Sequence, residues 1–499
     1  MDLATILKSP PVRRAAMAAI AGASLILQGC VVGPKYVKPV AQTPTAYKEA
    51  GQTGVDGTLW TPANPQDAAL RGNWWEVYQE PELNAFEEEL NKSNQNIAQS
   101  FQNFMAARAQ VRGARSNYAP TATTSPAYTR AGTSATLTHQ VQGAGNVDGS
   151  EFNLPFDVSW QPDLWGRIRN TVRQYANAAQ VSAADLANER LTEQANLAIY
   201  YFELRGQDGQ LALYEQTVKE YRQALELTRV LRETNIDSDQ DVAQAELNLK
   251  TAQAAATNLG IARAQYEHAI ALLVGQPAST FSVPVRSLAT AVPAIPVGLP
   301  SDLLQRRPDI SAAERTMSEA NALIGVQVAA FYPSLSIGLS GGFQGSTIAN
   351  WFTWPSRFFS LGPSAAQTLF DAGARKATKD QYTAQYEADV AAYRQTVLTA
   401  FQQTEDYLAS LRILAQQLQQ QQEVVDAAQH YLDLANVRYR LGIDPYLDVY
   451  TAEITLLNDQ RSAITLRIQQ MTSSVQLIEA LGGGWDTGQL PSEKSVSQK

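Results

Sequence analysis

Gly338-Leu339-Ser340-Gly341-Gly342 has the spacing of a nucleophile elbow, the motif that lifts a serine above a hydrolase sheet. That chemistry needs a strand-to-helix turn, then an acid and a histidine further along the chain. Here the motif falls within an alternating strand pattern, and the only downstream histidine is His430, in a Gln-rich helix. Asp237, Asp239 and Asp241 imitate the opening of a calcium loop, but Val242 stands where such a loop needs glycine and Asn248 where it needs glutamate. The three aspartates read better as a helix-capping turn. His139, His268 and His430 are too scattered to make a metal cluster. No Gly-rich phosphate loop is present, so neither an enzyme nor a cofactor is expected, and any energy must come from a partner. The formal charge of −9 also argues against a nucleic-acid partner, which would need a clustered basic surface.

Cys30 is the one cysteine, so an intramolecular disulfide is impossible. Lys8, Arg13 and Arg14 precede an apolar run from Ala15 to Leu27, which ends in Leu27-Gln28-Gly29-Cys30. The run is too short to span a bilayer comfortably, and the layout resembles a bacterial lipobox. In that reading residues 1–29 are a signal peptide, and Cys30 carries an N-acyl and an S-diacylglycerol group. Gln28 departs from the small residue commoner there. Val31 is not the aspartate that would suggest inner-membrane retention, so the anchored chain is expected in the outer membrane, in contact with its lipid. Several acyl chains anchor firmly, at roughly 0.8 kcal/mol per buried methylene.

The elements that must position everything else are set by proline. Of 23 prolines, none lies between Asp163 and Gln276 or between Ser364 and Asp444. Both windows are rich in helix formers, and a helix from Gly166 to about Thr234 would reach roughly 100 Å. That length predicts coiled-coil packing. The windows are copies at a constant offset of 207: Gly166 with Gly373, Leu204-Arg205 with Leu411-Arg412, Asp241-Val242 with Asp448-Val449, Ala245-Glu246 with Ala452-Glu453, and Gly275 with Gly482. The chain is therefore a duplicated helical hairpin, turning at 235–240 and 442–447. The returning helices, 239–275 and 446–481, cover only about half the outward length. Helical stretches at 82–117 and 302–331 are expected to stack end to end above them.

Phe152, Leu154, Phe156, Val158 and Trp160 alternate over a length suited to a membrane strand, and Leu335, Ile337, Leu339 and Phe343 repeat the pattern. Weaker partners lie at 121–130 and 358–369. Trp351, Phe352, Trp354, Phe358 and Phe359 suit an interfacial aromatic belt. Four strands cannot close a barrel, and an open edge cannot persist in lipid. Two copies would give a filled barrel; three leave room for a passage.

The expected fold is thus mainly α with a membrane β-barrel: an N-terminal extended segment at 30–80, repeats at 81–276 and 301–484, an equatorial linker at 277–300 and a tail at 485–499. Trp74-Trp75, Pro81-Glu82-Leu83, Asp163-Leu164-Trp165-Gly166-Arg167 and Arg306-Arg307-Pro308-Asp309-Ile310 resemble the TolC/OprM-type outer-membrane efflux proteins. Cys30 to Tyr36 resembles the start of their NodT-like lipoprotein branch. The resemblance implies a homotrimer with a twelve-stranded barrel above a helical tunnel, a periplasmic adaptor protein, and an inner-membrane pump of the RND type. It implies that Asn235, Ile236, Gly442 and Ile443 form hairpin tips that dock the adaptor. Asp448 would line the periplasmic aperture, where three carboxylates attract cations. Asp241 and Tyr439 match positions that hold the closed state, while Asp444 stands where some relatives pair an arginine with the Asp241 position. A type I protein-secretion duct and a non-conducting coiled-coil lipoprotein are the alternative expectations.

Overall fold

The computed structural model describes residues 31–49, 72–132, 148–234, 238–288, 292, 293, 295 and 300–497. The signal peptide, Cys30, Asn235 and Ile236 lie outside the described residues. In chain order the elements are α1 (Pro81–Ser93), α2 (Gln95–Ser116), β1 (Thr121–Thr124), β2 (Ala127–Gly132), β3 (Asp148–Trp160), α3 (Arg167–Glu233) and α4 (Asp239–Leu273). The second repeat supplies α5 (Leu303–Arg306), α6 (Pro308–Ala329), β4 (Ser334–Gly345), β5 (Arg357–Ala366), α7 (Ala374–Arg440) and α8 (Tyr446–Ala480), and a short α9 (Glu493–Val496) ends the tail.

The duplication is carried into the helices residue for residue. Both α3 and α7 have 67 residues, and both α4 and α8 have 35. Gly166 and Gly373 open the long helices with φ of 78° and 90°, a region where a side chain is strained. Upstream, Asp163 accepts from the backbone of Ile168 and Arg169, and Asp371 does the same for Gly373 and Arg375. Each carboxylate thereby satisfies amides that the first turn leaves open.

The helices expected at 82–117 and 302–331 are each broken once. Asn94 turns to extended backbone and caps α2 by accepting from Asn96 and Ile97. Arg307 precedes Pro308, whose ring disfavours helical backbone at the residue before it, and it takes φ −98° and ψ 125°. The return helices α4 and α8 begin at Asp239 and Tyr446.

The strands form one antiparallel sheet in the order β1/β2, β3, β4, β5. The weak strand expected at 121–130 is two segments that pair with β3 in one continuous register. Pro126 falls in the gap, opposite a stretch of β3 that contains Pro155, and neither proline has an N–H to give the ladder. The register sorts the side chains. Rows such as Trp160–Ile337–Pro363, Val158–Leu339–Leu361 and Phe156–Gly341–Phe359 lie on one face. Rows such as Asp157–Ser340–Ser360 and Ser159–Gly338–Gly362 lie on the other. Among the described residues nothing covers the apolar face: Leu361 is 68% and Phe359 87% exposed. One apolar and one polar face is the pattern of a membrane barrel wall. Among the described residues no helix is long and apolar enough to cross a membrane.

The main core sits at mid-height, where Trp74, Trp75, Tyr78 and Leu83 meet Tyr201 and Phe202 of α3, Tyr393 and Val397 of α7, and Leu477 and Ile478 of α8. A separate core near the hairpin ends gathers Tyr214, Tyr221, Tyr446 and Val449.

Candidate functional site: a duct wall and its hairpin tips

The second tip is built by helix-end chemistry. Gly442, at φ 67°, lets its N–H reach the Tyr439 carbonyl at 2.9 Å and that of Ile443 reach Arg438 at 3.0 Å. These two bonds make a Schellman close and leave Leu441 and Ile443 exposed. Arg438 bonds Asp444 across the turn, and that guanidinium holds the Asp444 carboxyl below its usual range. Asp448 lies in the first turn of α8, half-buried, its N–H donating to the Pro445 carbonyl. Tyr439 packs against Tyr446, with ring centroids 5.6 Å apart.

Beside the first tip, the described residues bond differently. Ser238 caps α4 through the Asp241 amide, and the Asp241 carboxylate accepts in return from the Ser238 N–H and hydroxyl, at 3.0 and 2.7 Å. Asp241 therefore has a partner within its own hairpin. Arg232 reaches across to Asp239 at 2.8 Å.

Above the tips, the return helices meet their stacked partners in two matching joints. Asn94 donates to the Leu273 carbonyl, the last of α4, and Arg307 donates to the Ala480 carbonyl, the last of α8. Each side chain satisfies an acceptor that the helix end leaves open. Gly275 and Gly482 follow these ends at φ 71° and 94°. A Cβ on Gly275 would run into the Ser93 carbonyl, and one on Gly482 into that of Arg306. Arg307 is further fixed by a paired contact with Asp309 and a bond to Gln403. The Arg-Arg-Pro-Asp block is thus the upper half of a helix joint, which its sequence alone does not reveal.

Two non-helical segments pack against the long helices, and the repeat-related arginines hold one each. Arg205, fully buried, binds Asp208, Glu82 and the Pro284 carbonyl. Arg263 and the Arg286 amide also reach Asp208, and the Arg286 guanidinium reaches Glu80. Arg412 instead binds Glu49 of the N-terminal segment at 2.7 Å. That segment climbs from there: Glu405 accepts from the Lys48 and Glu49 amides, the Tyr36 hydroxyl donates to Glu314, and the Val32 N–H donates to the Trp165 carbonyl. A Cβ on Gly166 would touch Val31, so the segment's upper end lies at the junction of β3 and α3.

A sheet with one apolar face and two edges that no described strand pairs, standing on long duplicated hairpins, defines a subunit of a membrane-and-periplasm duct. Residues 88–276 and 299–483 match the family described as outer membrane efflux protein, and the chain belongs to that family. It is 31% identical over 483 residues to the antibiotic efflux pump outer membrane protein ArpC of Pseudomonas putida, covering 96% of this chain and 98% of that one. The toluene efflux pump outer membrane protein TtgC of Pseudomonas putida shows the same identity and coverage. The solved outer-membrane channel OprN superposes with a TM-score of 0.81 at 25% identity, over 91% of this chain and all of that one. The chain is an outer-membrane efflux channel component that extends into the periplasm.

Proposed function

We propose that three copies close one membrane barrel and one helical tunnel, forming the exit duct of a tripartite pump. The observation that carries this reading is the sheet: an apolar face that the described residues leave uncovered, and edges at β1/β2 and β5 with no further strand among them. Backbone groups on such edges need partners in lipid, and copies of the same chain supply them. A periplasmic adaptor would grip the hairpin ends, where Leu441 and Ile443 offer apolar contact beside Gly442, with Asn235 and Ile236 as their counterparts. An inner-membrane transporter of the RND type would drive the flow. ArpC and TtgC are equally similar to this chain yet are named for antibiotics and for toluene, which supports a duct that passes cargo selected by the pump.

Lipid on Cys30 completes the reading. Val31 lies against Gly166 at the foot of the sheet, so acyl chains on the preceding residue would enter the leaflet beside the barrel. Asp448 would line the aperture. Asp241 and Tyr439 would contribute to the closed end. Asp241 already serves its own helix cap and Asp444 its own arginine, so bonds between hairpins must compete with them. In planar bilayers, Asp448→Ala should lower cation selectivity; an unchanged trace would remove Asp448 from the aperture. Mass spectrometry of the membrane form should show a triacylated Cys30, and an unmodified cysteine would remove the anchor.

A further inference from the structure

Glu246 and Glu453 hold the same position in the two repeats, and the fold treats them differently. Glu246 is exposed on α4, whereas Glu453 is largely buried where α8 packs on α3. Among the described residues, one Glu453 carboxylate oxygen is buried without a hydrogen-bond partner, and so is the Tyr221 hydroxyl on α3. Glu220 and Tyr221 face Glu453 from α3, and Tyr446 from its own helix. Behind them stand Tyr450 of α8, Tyr439 of α7 against Tyr446, and Tyr214, whose ring lies 5.5 Å from the Arg461 guanidinium. Among the described residues, Glu220 is the charged group that raises Glu453, and Glu453 in turn raises the phenols of Tyr221 and Tyr446. Burial, then the like charge of Glu220, push its carboxyl up to about 7.

We propose that Glu453 is a proton-operated latch between the two hairpins: as the neutral acid it seals α8 onto α3, and its ionisation loosens the lower part of that seam. The sign follows from linkage. A loosened Glu453 returns to water and to the ordinary carboxylate range, so the sealed form binds the proton more tightly. The seal is therefore strongest in acid. It weakens by up to about tenfold per pH unit as pH rises towards about 7, and is constant above that. Any effect on opening rests on the hairpin ends being the closing end of the duct.

The test is hydrogen exchange of segment 446–460 in the full-length protein in mild detergent, between about pH 5 and pH 8, corrected for intrinsic exchange rates. The wild-type opening constant should rise through this range and level off above neutrality. Glu246→Gln should follow the wild type, while Glu453→Gln should stay near the low-pH value at every pH. Glu453→Met offers a second neutral variant if the amide packs poorly. A flat wild-type profile overturns the latch, as does a Glu453→Gln profile that tracks the wild type or a Glu246→Gln profile that goes flat. Exchange reads the seam itself and bilayer conductance reads the duct, so the two proposals fail separately.

Discussion

Tyr439 and Tyr446 pack ring against ring, 5.6 Å apart, at the two positions that Arg232 and Asp239 fill one repeat earlier. The same hairpin is thus held by a buried aromatic contact in one copy and by an exposed ion pair in the other. Tyr446 is 3% exposed, while the Arg232 and Asp239 side chains are 53% and 83% exposed. Truncating Tyr446 to alanine should cost about 3 kcal/mol in local opening at any ionic strength. Asp239→Asn should cost roughly 0.5 kcal/mol, and less in high salt, because exposed pairs are screened. Hydrogen exchange at the two tips, in low and high salt, would reverse this ranking if the assignments were wrong.

The helix joints give a second prediction. Gly482 and Gly373 both adopt positive φ, but a Cβ on Gly482 collides with the Arg306 carbonyl and one on Gly373 meets nothing within 4 Å. Gly373→Ala should cost about 1 kcal/mol, the strain of the backbone alone. Gly482→Ala should cost several times as much, because the stacked helix must shift. Equal melting temperatures for the two variants would refute the joint.

Glu87 on α1 is fully buried, and neither carboxylate oxygen has a partner among the described residues. Burial pushes its carboxyl well above the usual range. The folded state therefore binds this proton more tightly than the unfolded chain does, so stability falls as pH rises above the ordinary carboxylate value. Glu87→Gln should flatten that part of the pH–stability curve. Glu87→Leu should raise stability by about 1–3 kcal/mol at neutral pH, by removing an unsatisfied group. Thermal melts at acid and neutral pH would show it, and a destabilised leucine variant would mean that the carboxyl has a partner after all.

The two faces of the sheet predict opposite tolerance. Leu361→Lys places a charge on the apolar face and should cost about 2–4 kcal/mol in refolding into lipid vesicles. Ser360→Lys, one residue away on the polar face, should refold like the wild type. Similar losses for both would mean that the face assignment is wrong.

The long helices and their duplication are legible in the sequence, because proline is missing from both windows and glycine marks matching ends. The strands are legible by alternation, except where Pro126 and Pro155 interrupt a ladder that the pattern alone reads as one weak strand. Neighbours across the fold are not legible. Arg205 and Arg412 are identical in the repeat, yet one holds the equatorial linker and the other the N-terminal segment. Glu246 and Glu453 match as closely, and only the packing of α8 on α3 separates them. Asp241 carries the spacing of a capping residue, and its place in the cap follows from Ser238.

Everything proposed for transport depends on the uncovered sheet closing through copies of the same chain. Native mass spectrometry of the mature protein, released from the outer membrane in mild detergent, measures that directly. A mass of three chains is the predicted result, and a persistent monomer would contradict the account.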